Sequence, residues 1–252
     1  MKSKKTAAII QARMGSTRLP GKVMKDLKGK PVLWHVIERV KQAENIDQII
    51  IATTTHRRDE IIFEKAKEWG VKAYRGSEED VLERYYEAAN NYETDTVVRI
   101  TSDCPLIDPH IIDKIVEFYN NNNYTLVTNA GSDLNNRTYP RGLDTEIFSF
   151  KVLKKAYNKS EEKYKREHVT PYIYENYEDV FYYKNNKDLS NYRLTLDTKE
   201  DFELIKAIYD KLYQGKHNFY LNEIINFLNK NKELLKINQK IKQKELKQSK
   251  VR

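Results

Sequence analysis

Between residues 9 and 22 the chain reads IIQARMGSTRLPGK, an apolar run that turns into a loop carrying Arg13, Arg18 and Lys22. Cations this close repel one another unless an anion sits among them. Gly15 and Gly21 let the backbone approach a ligand, and Ser16 and Thr17 add hydroxyl donors. Guanidinium forks match phosphate oxygens, so a polyphosphate would satisfy the whole set. The loop is neither the lysine loop GxxxxGK[ST] nor the dinucleotide fingerprint GxGxxG. The plainer alternative is a solvated basic loop whose arginines pair with surface carboxylates.

Two aspartates could answer these cations. Asp103 follows an apolar run in RITSDCPLIDP, and Asp197 follows another in YRLTLDTKEDF. Taken singly, each has a modest reading: Asp103 as a turn or helix cap, Asp197 as an N-cap with Glu200 completing a capping box. Taken together, opposite a cationic loop, they suit Mg²⁺, which takes one or two carboxylates, water and substrate phosphate oxygens. Metal-assisted phosphoryl chemistry is the function that this pairing predicts.

The surrounding elements must bring these segments together. TAAIIQA (6–12), IDQIIIATT (46–54), VKAYRG (71–76) and YTLVTNA (124–130) read as strands, and DTVVRITSDCPLI (95–107) as a strand running into a loop. PVLWHVIERVKQA (31–43), DEIIFEKAKEWG (59–70, closed by Gly70), SEEDVLERYYEAANNY (77–92) and DPHIIDKIVEFYNNN (108–122) read as helices. Ser77 is the expected N-cap of the third helix with Asp80 at N3, and Asp108 caps the fourth with Pro109 at N1. Strands alternating with helices predict βαβ crossovers and a mostly parallel sheet, whose ligands lie beyond the carboxyl ends of the strands. The cationic loop and Asp103 both leave such ends, so they belong to one site. After residue 130 the pattern is β-rich: LDTEIFSF, DVFYYKN and YRLTLDT read as strands, followed by the helix KEDFELIKAIYDKLY. This predicts one α/β domain over 1–229 with a small β-rich excursion.

Composition narrows the partners. The net charge is +8, but residues 230–252 hold eight Lys, one Arg and two Glu, so the tail alone supplies +7. A near-neutral body gives no ground for nucleic-acid binding, and the 18 tyrosines form no stacking series. The tail is expected to be a frayed helix or a disordered extension. Trp34 and Trp69 lie in helical patterns and read as core or half-buried residues. Cys104 is the lone cysteine, which excludes an intramolecular disulfide and fits a reducing compartment. With no apolar run of membrane length and no signal-like opening, a cytoplasmic protein is expected.

The blocks IIQARMGSTRLPGK, RGSEEDVLERYY, RITSDCPLIDP, YPRGLDTEIFSF, REHVTPYIY and LTLDTKEDFELI, in order over about residues 6–212, resemble the cytidylyltransferases. The group is that of the spore-coat polysaccharide biosynthesis protein, similar to CMP-KDO and CMP-acylneuraminate synthetases. The resemblance implies a three-layer α/β/α nucleotidyltransferase fold of the type also seen in GT-A glycosyltransferases. It implies CTP with its triphosphate on Arg13, Ser16, Arg18 and Lys22, while Gln11, Thr53, Thr54, Ser77 and Ser102 fall where relatives hold the nucleotide. It further implies Mg²⁺ on Asp103 and Asp197, with these two aspartates, Arg13 and Lys22 as catalytic residues. Arg141, Asp144, Glu146 and His168 fall in the stretches that line the acceptor pocket. His168 is the base candidate if the acceptor is a hydroxyl, and otherwise a structural histidine. The acceptor would be an anionic small molecule, a sugar acid or a phosphorylated compound, serving surface glycan synthesis. A homodimer is expected, with a contact around 130–148.

The chain departs from the sugar-acid synthetases, with TSDCPLI where CMP-KDO enzymes carry a Gln-Gly-Asp-Glu-Pro pattern, and ATTTH in place of an Asp-rich stretch. The acceptor therefore does not carry over. Two alternatives stand: a GT-A glycosyltransferase using a nucleotide-sugar donor, and a non-catalytic nucleotide-binding subunit.

Overall fold

The computed structural model describes residues 4–130 and 136–242. In chain order it runs β1 (Thr6–Gln11), a small hairpin of β2 (Asp26–Leu27) and β3 (Lys30–Pro31), α1 (Val32–Val40), β4 (Gln48–Thr54), α2 (Glu60–Glu68), β5 (Lys72–Gly76), α3 (Val81–Asn91), β6 (Thr96–Thr101) and α4 (Pro109–Asn120). There follow β7 (Leu126–Thr128), β8 (Glu146–Ser149), α5 (Phe150–Lys159), α6 (Lys163–His168), α7 (Pro171–Asn176), β9 (Val180–Tyr182), α8 (Lys199–Leu212), α9 (Leu221–Lys230) and α10 (Lys232–Leu235).

Seven strands form one sheet in the order β5-β4-β1-β6-β8-β7-β9. Only β8 runs against the rest, pairing antiparallel with both β6 and β7. The strand period of two sorts side chains into two helix layers. Ala8, Ile10, Ile51, Val98 and Ile100 face α1, α4 and α8, whereas Ala7, Ile9, Ile50, Ala52 and Val97 face α3, α5 and α7. A sheet covered on both faces is the expected three-layer α/β/α fold.

The parallel register aligns the carboxyl ends. Gln11 lies beside Thr101 and Ala52, and Thr54 beside Gly76. Because β8 runs the other way, it enters from this same edge and brings Asp144 and Glu146 to it, with Glu146 opposite Arg99.

Several local expectations are corrected. α3 starts at Val81, and its N-cap is Asp80, whose carboxylate accepts from Glu83 N; Ser77 instead accepts from Asp80 N. The cap of α8 is Thr198 with Asp201 closing the box, which leaves Asp197 outside the helix and free of cap duty. YRLTLDT is not a sheet strand. It crosses the sheet edge through a single bridge between Arg141 and Arg193, with Leu196 N donating to Asp103 O at 2.8 Å. At this crossing Gly142, at φ +100°, lies so close that a Cβ would overlap the Leu194 carbonyl group. The segment 230–242, expected to stand apart, packs on the body through α10 and Asn238, which is 4% exposed. Within the stretch 130–148, Arg137, Tyr139, Leu143 and Thr145 are buried in the body, and 131–135 lie outside the described residues; the dimer contact stays an expectation.

Candidate active site

The cationic loop is held by its own backbone and by one carboxylate. Met14 O accepts from both Ser16 N and Gly21 N, and Gly21 turns the chain at φ +66° into a single 3₁₀ turn from Lys22 to Met24. Met14 N donates to Asp59 Oδ1 at 2.7 Å, and the other oxygen of Asp59 accepts from the Thr54 hydroxyl. Asp59 is wholly buried. It fastens the loop to the end of β4, a role that composition did not suggest.

Lys22 then projects to the centre of the edge. Its ammonium donates to Asp103 Oδ2 at 2.8 Å, Asp197 Oδ1 at 2.9 Å and Leu196 O at 2.8 Å. Asp103 is oriented by Thr101, whose hydroxyl donates to Oδ1 at 2.5 Å. Asp197 is met by Arg18 at 3.0 Å and Arg193 at 3.1 Å. Three residues singled out for phosphate and metal, from positions 81 and 94 residues apart along the chain, therefore meet at one point. Burial disfavours charge on Lys22, but the two carboxylates outweigh it and hold its pKa above the ordinary lysine value. Burial likewise works against ionised Asp103, yet the Lys22 ammonium and the Thr101 hydrogen bond hold it below the usual carboxylate range. Both groups stay charged at neutral pH.

This donor set fits a hard cation. One oxygen from each aspartate, on different segments, converges on a single cationic atom within 2.9 Å. Among the described residues no third His, Cys, Asp or Glu completes a metal-binding group. A magnesium ion here would draw its remaining ligands from water and substrate phosphates, as that ion commonly does.

Arg13 lies apart from Lys22, exposed, with Nη1 3.7 Å from Glu78, which also pairs with Arg58. Ser77 stands next to this pair and accepts at its carbonyl from Arg84. Gln11 receives a long hydrogen bond from Arg99, and Ser102 N donates to Gln11 O. Thr53, Thr54 and Ser102 are buried in the floor, and Thr54 is committed to Asp59. Ser16 accepts from Leu19 N, rounding the loop.

The acceptor-side residues separate into two groups. Arg137 donates to both oxygens of Asp144, at 2.6 and 3.3 Å, beside Arg141. The Arg141 guanidinium carries no hydrogen bond or ion pair among the described residues; burial and the neighbouring Arg137 and Arg193 lower its pKa despite Asp144 and Asp197 nearby. Glu146 faces inward instead, accepting from Arg99, the Thr170 hydroxyl at 3.0 Å and the Tyr174 hydroxyl at 2.7 Å. It ties β6 and β8 to α7. His168 ends α6, and its carbonyl accepts from Thr170 N across a tight turn at Val169, a buried β-branched residue at φ +72°.

Residues 7–241 match the family model described as Cytidylyltransferase. The chain is 42% identical over 248 residues to uncharacterized protein MJ1063 of Methanocaldococcus jannaschii, covering 95% of this chain and 97% of that one. It is 33% identical over 229 residues to the spore coat polysaccharide biosynthesis protein SpsF of Bacillus subtilis, with 88% and 93% covered. Among solved structures, a cytidylyltransferase from Leptospira borgpetersenii superposes with a TM-score of 0.87 at 38% identity, over 95% of this chain and all of that one. The fold is also that of a CMP:2-keto-3-deoxy-manno-octonic acid synthetase solved with CTP, at a TM-score of 0.64 and 21% identity over 82% and 99% of the two chains.

Proposed function

Because the chain belongs to the cytidylyltransferase family and is a CTP-dependent nucleotidyltransferase, we propose that it transfers CMP to an anionic, sugar-derived acceptor and releases pyrophosphate. The observation that carries this reading is the meeting of Lys22, Asp103 and Asp197 beside Arg18. An acceptor oxygen attacks the α-phosphorus; the new P–O bond forms as the bond to the β-phosphate bridge breaks, and its electron pair leaves with pyrophosphate. Arg18 and Lys22 neutralise charge that grows on the phosphoryl oxygens, and Arg13 receives the outer phosphates. Such preorganised cations supply most of the acceleration in this chemistry. Asp103 and Asp197 would hold Mg²⁺, which when bound polarises the phosphates as a Lewis acid. Gln11, Thr53, Thr54, Ser77 and Ser102 shape the nucleotide floor.

On the acceptor side, Arg141 is a guanidinium without an ion pair among the described residues, and Arg137 fixes Asp144 for contact with a hydroxyl. A phosphate or carboxylate nucleophile needs no base; a hydroxyl does, and His168, in the sequence block that supplies Thr170, is the candidate. Glu146 positions this block. Surface glycan synthesis in the cytoplasm by a homodimer belongs to the same reading. Family membership speaks against the glycosyltransferase alternative.

Melting in the presence of Mg²⁺ with CTP, UTP, ATP or GTP tests the proposal, since a ligand that binds only the native state raises Tm. A rise selective for CTP, abolished in Arg18→Ala, is expected. Equal rises with all four nucleotides, or none with CTP, would overturn it.

A further inference from the structure

Beside the reaction centre lies a second cavity. Between the 190–193 segment and α10 runs a cleft of about 520 Å³, to which Arg141, Arg193, Lys232 and Lys236 all contribute. Among the described residues no aspartate or glutamate lines it. Arg193 is neutralised by Asp201 and Asp197. The other three cations have no hydrogen bond or ion pair among the described residues. Such a wall, with no carboxylate to balance it, focuses a positive potential into the concavity and favours an anion there. Asn191 and Gln239 add amide donors to the same walls.

The cleft is a built feature of the fold. Asn238, buried on the far wall, donates to Arg193 O at 3.0 Å and to Asp201 Oδ1 at 2.9 Å, and so pins the segment after α10 against the 190–193 crossing. The opposite wall is fixed by the bridge between Arg141 and Arg193.

We propose that this cleft binds a phosphate monoester carried by the acceptor, at the end remote from its nucleophilic oxygen. Three cations that pair with no carboxylate among the described residues match a dianion better than a single carboxylate. Arg193 links the cleft to the reaction centre, because this lining residue also bonds Asp197 through its guanidinium. A phosphate held there is an anchor, and a different oxygen of the acceptor reaches the α-phosphorus. The word acceptor rests on the cytidylyltransferase reading; the anion site does not.

Calorimetric titration of glycerol 3-phosphate, glycerol and inorganic phosphate separates these points. Each is added to the full chain alone and to the chain loaded with Mg²⁺ and a CTP analogue whose α–β bridge is a methylene, so that nothing turns over. Glycerol 3-phosphate is expected to bind both forms, glycerol neither, and the double variant Lys232→Ala/Lys236→Ala to bind the ester at least tenfold more weakly. Far-ultraviolet circular dichroism of the variant checks that it is folded, and Arg141→Lys, which keeps charge but loses the fork, is expected to weaken the ester by a smaller factor. Equal binding by wild type and folded double variant, or no binding of the ester, would overturn the site. Inorganic phosphate binding as tightly as the ester would assign the cleft to free phosphate and overturn its role for the acceptor. Ester binding that depends on the lysines while the CTP analogue fails to bind would uphold the cleft and refute the proposed function instead.

Discussion

At the residue scale the molecule turns on one ammonium. Lys22 is the only contact that Asp103 and Asp197 share among their described hydrogen bonds, so its charge sets the spacing of the two carboxylates as well as meeting phosphate. Lys22→Met keeps much of the stem and removes the charge. Loss of one preorganised donor to a developing anion typically costs about 10²–10³ in kcat, and a loss of that order is expected in pyrophosphate release under saturating CTP. Lys22→Arg restores the charge, but a planar fork cannot place one nitrogen against two carboxylates and the Leu196 carbonyl together. It should recover only part of the loss. Full activity in Lys22→Met would remove this lysine from the reaction. The residue types around Lys22 were legible from sequence because the local density of cations has few other uses. Asp59 was not, because a buried carboxylate that accepts from a loop amide looks, in sequence, like any acid at the start of a helix.

Elements decide which of these residues meet. The parallel register put the ends of β1, β4, β5 and β6 on one edge, which the alternation of apolar runs and amphipathic helices already implied. What periodicity could not convey was the crossing at 190–197. Its alternation, YRLTLDT, is that of a strand, yet it makes one bridge and buries Leu194 and Leu196 under the edge. The cap of α8 was offset by one residue for a related reason. Asp197–Glu200 and Thr198–Asp201 have the same spacing, and only the demand of Lys22 and Arg193 on Asp197 separates them. Two expectations follow from the crossing. Gly142→Ala must push apart backbone that is in contact, at a φ that alanine resists, and should cost about 3 kcal/mol or more, read as a lowered urea midpoint. Asn238→Ala strips two hydrogen bonds from Arg193 and buried Asp201. A loss of about 1–3 kcal/mol is expected, together with a several-fold fall in kcat as Arg193 loosens its hold on Asp197. Unchanged kcat with lowered stability would make Asn238 a structural fastening alone.

For the whole molecule, stability between pH 6.5 and 5 is expected to depend on a histidine pair that joins α1 to the loop after α8. His35 Nε2 lies 2.6 Å from the Leu27 carbonyl, and a carbonyl only accepts, so this nitrogen carries the proton. The bare Nδ1 of His35 then accepts from His217 Nε2 at 2.8 Å, and both rings are neutral. Burial pushes His35 down to about 4 and His217 to about 3, with Arg39 adding to both and the Leu27 carbonyl opposing for His35. Asp26 and Lys30 act weakly on His35 and in opposite senses, and Trp34, Tyr209 and Tyr213 pack around the pair. In the unfolded chain each histidine titrates near 6.5. The unfolded state therefore binds more protons than the native state below that pH, and stability falls as pH falls. The loss should begin near pH 6.5 and continue until the native rings themselves protonate, amounting to about 2 kcal/mol per histidine by pH 5. Carboxylates with depressed pKa, Asp103 and Asp201 among them, act in a lower window, since their contribution is lost only as pH drops below the ordinary carboxylate range. Urea unfolding at pH 7.5, 6, 5 and 4.5 separates the two windows. His217→Gln, whose amide can still donate to His35, is expected to remove about half of the slope between pH 6.5 and 5. A wild-type curve that is flat over that interval would mean that the pair gains a proton as readily in the native chain as in the unfolded one.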